Sequence, residues 1–213
     1  MIFKECLPLN EHPEIFDLHA PFSPSQYHWL NYDRDRLIQY WDNKDAQIIG
    51  TKVHSIAADL INAEYYFREK GLDYHISLRG KDSFSQHVNF AIKNQMQPEV
   101  AVKYSDICFG HADALVFNIP KRTLLISDLK TGKTPGHMEQ LETYAAIFVA
   151  EYSNELQYVH HIDMNTIDIQ LRIFQFNECL LANPPADYII NEVLRKIRVQ
   201  HEILSEELAR RNK

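Results

Sequence analysis

Two aspartates and a lysine stand at spacings that suit hydrolysis of a phosphate ester. Asp113 lies in the apolar run 112–117, and Asp128 and Lys130 follow a second apolar run, 123–126. Side chains alternate along a strand, so Asp128 and Lys130 would share one face. Buried carboxylates cost several kcal/mol unless they are compensated, and their oxygens suit Mg²⁺ or Mn²⁺. A neighbouring ammonium could hold an attacking water or offset charge on a phosphate. The competing interpretation is a solvated Asp–Lys pair.

The elements that must position these residues are strands. Both apolar runs are rich in Val, Ile and Leu, which is typical of buried strands, and the turn residues 118–122 between them predict a hairpin. The alternating segment 98–104 should pair with 107–117 through a tight turn. We therefore expect three successive antiparallel strands, with Glu99 as a carboxylate of unassigned role near the start of the first.

Four sequence elements together resemble the PD-(D/E)xK nuclease superfamily. Within it, they are most similar to the branch of RecB nuclease domains, lambda-type exonucleases and CRISPR-adaptation nucleases, which adds a Gln-x-x-x-Tyr helix. The four elements, in order, are Gly50-Thr51-Lys52-Val53-His54, Gly110-His111-Ala112-Asp113, Asp128-Leu129-Lys130-Thr131-Gly132 and Gln140-Leu141-Glu142-Thr143-Tyr144. The resemblance covers roughly residues 50 to 175.

The resemblance implies a role for each matching residue. Asp113, Asp128, the carbonyl of Leu129 and His54 would be ligands of one or two Mg²⁺ or Mn²⁺ ions, and Lys130 would orient or activate the water. Gln140 would hold the scissile phosphate or the water, and Tyr144 would contact the DNA backbone or a base. His54 could equally be a hydrogen-bonded core residue, and Glu64 is a weaker candidate acid on the same helix. The implied activity is exonuclease action on DNA in recombination, repair or phage DNA metabolism.

The segment Thr131-Gly132-Lys133-Thr134 invites comparison with a phosphate-binding loop. That loop requires another glycine five residues before Gly132, where Ser127 stands, and a helix immediately after it. Nucleotide binding by this route is therefore rejected. We interpret Thr131 and Lys133 instead as contacts for a DNA phosphate.

The whole pattern predicts an α/β fold, a mixed sheet of four or five strands flanked by helices, with a restriction-endonuclease-like core. One domain, 1–213, would comprise an N-terminal segment and helix (1–49), the nuclease core (50–176) and a C-terminal helix (177–213). The predicted helices are 26–41 with Ser23 as cap, 50–70 closed by Gly71, 82–95, 136–152 and 188–210, and a strand at 167–176 is expected at a sheet edge.

Composition limits the class of protein. The net charge of −7 argues against a protein that coats nucleic acid, because such binding needs many Lys and Arg contacts to phosphate. The basic end of the last helix is interpreted as a solvated face, with contact to a DNA strand as the alternative. Three separate cysteines (Cys6, Cys108 and Cys179) are expected to be buried, and no iron–sulfur cluster is expected.

No stretch is apolar enough to span a membrane, and no signal peptide is evident, so we expect a cytoplasmic protein (host cytoplasm if phage-encoded). The expected partner is DNA, with a recombination or single-strand-binding protein as a further candidate. Two alternatives remain. The first is a catalytically inactive member of the same fold that binds DNA or a protein. The second is a nucleotide-binding protein that uses Thr131 to Thr134, which the glycine spacing disfavours and which an ATP-binding assay would test.

Overall fold

Five strands form one open, mixed sheet. The computed structural model describes residues 5–15, 20, 22–42 and 52–211. The strands are β1 Gln97–Ser105, β2 Cys108–Asn118, β3 Thr123–Leu129, β4 Asp168–Gln175 and β5 Glu178–Ala182, and they lie in that order across the sheet. β1, β2 and β3 are antiparallel neighbours, β4 is parallel to β3, and β5 is antiparallel to β4. The predicted α/β class and strand number are confirmed.

Helices cover both faces of the sheet. They are α1 Arg34–Asp42, α2 Lys52–Glu69, α3 Ser83–Lys93 and α4 Met138–Tyr158. The last helix, here α5, starts with the turn Ala186–Tyr188, continues as the π-helical segment Ile189–Leu194 and ends as Arg195–Arg211. Local chemistry fixes two predicted boundaries, since Asp82 accepts the Ser85 N–H to cap α3 and Gly71 (φ +66°) ends α2.

The core is divided by the sheet. α4 and α5 pack on one face, where Leu124, Ile126 and Phe148 are buried, and α2 and α3 pack on the other, where Leu125 and Val88 are buried. A strand covered on both faces needs apolar residues in succession, which explains the run in β3. The crossover from β3 through α4 to parallel β4 brings the carboxyl end of β3 close to the first turn of α4.

The first predicted helix is two elements. Residues Pro24–Asn31 are a 3₁₀ segment, and α1 begins only at Arg34 after an extended residue, Tyr32. The prediction of one helix over 26–41 was wrong because Asp33 starts a new helix by accepting the Arg36 N–H. The hydroxyl of Ser23 lies beside that of Ser25 and makes no cap.

The far side of the sheet also differs from expectation. β4 is an inner strand and not the predicted edge, because β5, which the sequence did not predict, pairs outside it. Cys179 on β5 is half-buried, whereas Cys6 and Cys108 are buried as expected. α4 starts at Met138 and runs to Tyr158, longer than the predicted 136–152. The predicted start of α2 at Gly50 and Thr51 lies outside the described residues.

Three arginines of α5 pair with carboxylates of the same helix. Glu207 pairs with Arg210, Arg211 and Arg34, and Glu192 pairs with Arg195. These pairs fit the interpretation as a solvated helix face. Within the described ranges, no helix combines the length and apolar character needed to cross a membrane.

Candidate functional site

The two predicted aspartates meet where β2 and β3 separate. The ladder between these strands runs as far as the pair Ala114 and Ser127. One step further along the same register, Asp113 and Asp128 stand opposite each other. Asp128 is 4% exposed, and the side chain of Asp113 is 15% exposed. The sheet therefore brings two carboxylates together at the carboxyl end of β3.

Beyond the last backbone pair of β2 and β3, the side chain of Asp113 accepts the hydrogen bond from the strand β3 backbone. Its Oδ2 accepts the N–H of Leu129 at 2.7 Å and lies 3.0 Å from Nδ1 of His54 on α2. The alternation of side chains also breaks here, since Ala112 packs on the α4 side of the sheet and Ala114 on the α2 side. The irregular strand aims Asp113 at both β3 and α2. His54 thus lies at the site, as the sequence predicted, but it holds a carboxylate.

Asp128 forms a closed triangle with Lys130 and Gln140. Lys130 Nζ donates to Asp128 Oδ1 at 3.1 Å and to Gln140 Oε1 at 2.7 Å, and Gln140 Nε2 donates to Asp128 Oδ1 at 3.1 Å. Gln140 comes from the first turn of α4, which the crossover brings to this edge. The sequence predicted that these three residues would come together. The second oxygen, Asp128 Oδ2, is buried and accepts no hydrogen bond, although Nζ lies 3.0 Å away.

Hydrogen bonding shifts the pKa values of the two carboxyl groups in opposite directions. Burial and then the charge of Asp113 raise the pKa of Asp128 to about 6, despite the opposing effect of Lys130. Burial acts in the same direction on Asp113, but the hydrogen bond and charge of His54, with smaller contributions from His87 and Leu129, bring the pKa of Asp113 below its usual value. The hydrogen bond to Asp113 in turn raises the pKa of His54. Each carboxylate thus has its own basic partner, His54 for Asp113 and Lys130 for Asp128.

Tyr144 supports β2 from within the core. Its ring is 3% exposed, and its hydroxyl donates to the carbonyl of His111 at 2.5 Å. The ring also lies against Gly110, where an added Cβ would come 3.2 Å from Tyr144 Cε1 and 2.7 Å from Pro24 Cδ. The prediction that Tyr144 contacts DNA does not fit this buried position. Tyr144 instead holds β2 against α4 next to Asp113.

Thr131 and Lys133 lie on an exposed loop after β3. The buried side chain of Gln175 on β4 holds this loop through three hydrogen bonds. Its Nε2 donates to the carbonyls of Gly132 and Thr134, and its Oε1 accepts the Gly136 N–H. Both predicted phosphate contacts are therefore solvent-accessible beside Lys130. Gln175 was not predicted as a site residue, because an amide in an alternating strand carries no sequence signal of its hydrogen-bond partners.

Glu99 is a site residue that the sequence left unassigned. The register of β1 and β2 pairs Pro98 with Ala114 and Val100 with Ala112, so Glu99 stands opposite Asp113. Its φ of +50° interrupts the strand there. Desolvation and then the charge of Asp113 raise the pKa of Glu99 to about 7. Because Glu99 is exposed to solvent, the neighbouring Asp113 carboxylate is the main cause of this shift in pKa. A bulge between Lys103 and Ser105 shifts the register of this hairpin, so counting back along the sequence does not give the pairing of Glu99 with Asp113.

His87 on α3 is a second missed residue. It is buried, its ring meets Phe174 edge-on, and its Nδ1 has no hydrogen-bond partner. Burial lowers the pKa of His87 to about 4, and the charges of Asp113 and His54 also act on it. A single histidine inside an amphipathic helix gives no signal in a sequence.

Glu64 belongs to a different cluster. It is fully buried and accepts hydrogen bonds from Arg68 Nε at 2.6 Å, the Ile76 N–H at 2.6 Å and His75 Nδ1 at 3.2 Å. Its carboxylate thus ties the segment after α2 back to that helix. The lower rank given to Glu64 fits this structural position.

The donor set suits a cation that keeps much of its water. Among the described residues, no group of three or more His, Cys, Asp or Glu side chains is arranged to hold a metal ion. Mg²⁺, however, is commonly bound through one or two carboxylates plus water and substrate phosphate. Asp113 and Asp128, with a buried Oδ2 that accepts no hydrogen bond, fit that mode. His54 Nδ1 is engaged with Asp113, so this nitrogen is a positioning group in the described arrangement.

Comparison with known proteins adds no family. No protein-family model matches the chain, and no curated protein matches its sequence significantly. Functional interpretation therefore rests on the residues and their geometry.

Proposed function

We propose that this protein is a metal-dependent DNA nuclease, with Mg²⁺ or Mn²⁺ held by Asp113 and Asp128. The observation that carries the proposal is the triangle of Asp128, Lys130 and Gln140 facing Asp113. Two opposed carboxylates, a lysine and an amide at one strand end are groups that can support metal-assisted hydrolysis of a phosphodiester. The carbonyl of Leu129 is a further proposed ligand.

Each residue has a role in the proposed reaction. Lys130 orients the attacking water and offsets negative charge that develops on the phosphate. Gln140 fixes the lysine and presents its amide to the phosphate or the water, while His54 holds Asp113 in place. When bound, the metal supplies positive charge that stabilises the negative charge gained by the phosphate oxygens. Thr131 and Lys133 contact the neighbouring phosphate of the strand.

We further propose that the sheet and its helices form a restriction-endonuclease-like core. Support comes from three antiparallel strands followed by a crossover helix and a parallel strand, with the predicted motifs at one edge. The resemblance of the four motifs to the Gln-x-x-x-Tyr branch favours exonuclease action in recombination, repair or phage DNA metabolism. A recombination or single-strand-binding protein is a proposed partner.

A binding module that does not cleave DNA is the second candidate. It is favoured by the lack, among the described residues, of a three-side-chain metal group, and by the ion pair of Lys130 with Asp128. Such a protein would keep the fold and contact DNA through the loop after β3.

The test uses end-labelled linear DNA, single- and double-stranded, beside circular DNA, in Mg²⁺, Mn²⁺ or EDTA. Wild-type protein should shorten linear DNA only with metal, and Lys130→Ala should slow cleavage by about 10²- to 10⁴-fold. Lys121→Ala is the matched control, because Lys121 is an exposed lysine at the opposite end of β3. Cleaved circles would indicate an endonuclease. Metal binding without cleavage, or equal rates for all three proteins, would favour the binding module or a contaminating enzyme.

A further inference from the structure

The turn between β4 and β5 has an unusual residue at its tip. Gln175 pairs with Glu178, so Phe176 and Asn177 form a two-residue hairpin loop. Their φ values are +54° and +63°, as a type I′ turn requires. Asn, Asp or Gly normally fills the first of these positions, and a bulky side chain there is strained. Backbone strain of this kind is concentrated at functional sites.

Hydrogen bonds hold this turn from both sides. Gln175 binds the loop 132–136 next to the candidate site, as described above. On the other side, the Asn177 N–H donates to Ser83 Oγ at 2.8 Å, and Gln86 Nε2 donates to the Asn177 carbonyl at 3.0 Å. The strained conformation is thus fixed by two neighbouring elements.

The ring of Phe176 nevertheless points away from the core. The residue is 59% exposed, although the turn is anchored. It lies near the candidate site, because the Lys130 N–H donates to the carbonyl of Phe174, two residues earlier on β4. At a rise of about 3.3 Å per residue, that places Phe176 roughly 7 Å further along the strand.

Exposed cations lie on the loops at both sides of the ring. Lys133 is on the loop held by Gln175. Lys81 is on the loop before α3. The backbone carbonyl of Lys81 accepts a hydrogen bond from Gln86 Nε2, which also donates to the Asn177 carbonyl. Two acidic residues are also close in the chain, but Asp82 is engaged with Ser85 and Glu178 begins β5. Proteins that bind single-stranded nucleic acid commonly combine exposed aromatic side chains with basic residues on neighbouring segments.

We propose that Phe176 is a stacking platform for an unpaired base of single-stranded DNA, with Lys81 and Lys133 contacting the phosphates on either side. This inference rests on the proposed nuclease function and deepens it. The bound strand would run past the turn and place its backbone at Lys130 and Asp128. Strain at Phe176 persists because the ring is needed at a fixed point.

The test removes the ring without straining the turn. Phe176→Asn is the informative variant, because Asn tolerates positive φ, and its melting temperature should equal or exceed that of the wild type. Affinity for a fluorescent oligothymidylate, measured by anisotropy in EDTA so that no cleavage occurs, should fall about tenfold. Tyr158→Ala, which removes an exposed aromatic near the end of α4, should leave affinity unchanged.

A second variant reports stacking directly. In Phe176→Trp, saturating oligothymidylate should quench the added tryptophan fluorescence relative to the wild type, which already contains Trp29 and Trp41. Unchanged affinity of Phe176→Asn, or no added quenching, would overturn the stacking proposal while leaving nuclease function intact. Equal dependence of blunt duplex binding on Phe176 would overturn the assignment to single strands. A wild-type protein that binds no oligonucleotide would overturn the proposed function as well.

Discussion

The two aspartates of the site face each other, yet neutralising them should have opposite effects on stability. The hydrogen bonds that Asp113 receives from His54 and Leu129 stabilise its ionised form, whereas the ionised form of Asp128 is disfavoured by burial and by Asp113. At about pH 7 in EDTA, Asp128→Asn should gain roughly 1–2 kcal/mol of unfolding free energy, less than the full pKa shift implies because the pair with Lys130 is lost. Asp113→Asn should lose roughly 1–2 kcal/mol.

Urea unfolding of both variants checks this prediction. The pKa of Asp128 is raised in the folded protein, so its destabilising effect appears as pH rises through the range from about 4 to 6. The gain of Asp128→Asn should therefore vanish near pH 4. Both variants should lose nuclease activity, so stability and activity move in opposite directions for Asp128 alone. Equal destabilisation by both substitutions would contradict this electrostatic difference.

Without metal, His54 should make stability depend on pH in a higher pH range than Asp128 does. Its pKa is raised by Asp113, so the stabilising charged pair is present below about pH 6.5 and is lost as pH rises through the folded-state pKa. The unfolding free energy should fall by roughly 1 kcal/mol as pH rises through the folded-state pKa of His54. In His54→Gln this fall should be smaller. His28→Gln, which changes an exposed histidine, is the control. An unchanged slope in His54→Gln would exclude the pair as its source.

For individual residues, the sequence predicted which ones lie at the site better than it predicted their contacts. Strand alternation predicted that Asp128 and Lys130 share a face, and the resemblance to the Gln-x-x-x-Tyr nucleases predicted that Asp113 and Gln140 join them. The sequence did not predict the burial of Tyr144, because a tyrosine four residues after Gln140 suits either a core or a surface. Glu99 was noted but left without a role, because its position opposite Asp113 depends on the exact register of two strands.

Among helices and strands, the sequence predicted those turns and helix ends that are determined by neighbouring residues. The β2–β3 hairpin, the cap of α3 at Asp82 and the end of α2 at Gly71 all follow from neighbouring residues. β5 was missed because Glu178–Ala182 is short and largely exposed, so its strand state depends on pairing with β4. The π-helical segment of α5 likewise has no local sequence signal.

One side chain on β4 fixes the loop that carries the proposed phosphate contacts. Gln175→Ala removes three hydrogen bonds and should lower the unfolding free energy by roughly 1–3 kcal/mol, since water can replace some of them on an exposed loop. The loop should then open more often, so trypsin should cleave faster after Lys133, and nuclease activity should fall. Gln170→Ala, in the same strand, is the control. Unchanged proteolysis would show that the loop is held by other contacts.

At the scale of the whole molecule, charge limits how DNA is bound. The chain carries 29 acidic and 22 basic side chains, and Arg195, Arg210 and Arg211 of α5 pair with glutamates of the same helix. Positive charge that is exposed near the site is concentrated on the loops flanking Phe176. DNA binding should therefore involve few phosphates, and affinity should depend mainly on stacking and, when present, on the metal.

The dependence of affinity on salt tests this view. Each phosphate contact on a single strand contributes about −0.7 to the slope of log K against log salt concentration, so Lys81 and Lys133 with one further cation predict a slope of roughly −2. Lys133→Ala should make the slope shallower by about 0.7, whereas Phe176→Asn should weaken binding at every salt concentration without changing the slope. A slope of about −5 or steeper would require a more extended basic surface. In that case binding would be dominated by charge, and the exposed ring of Phe176 would need another explanation.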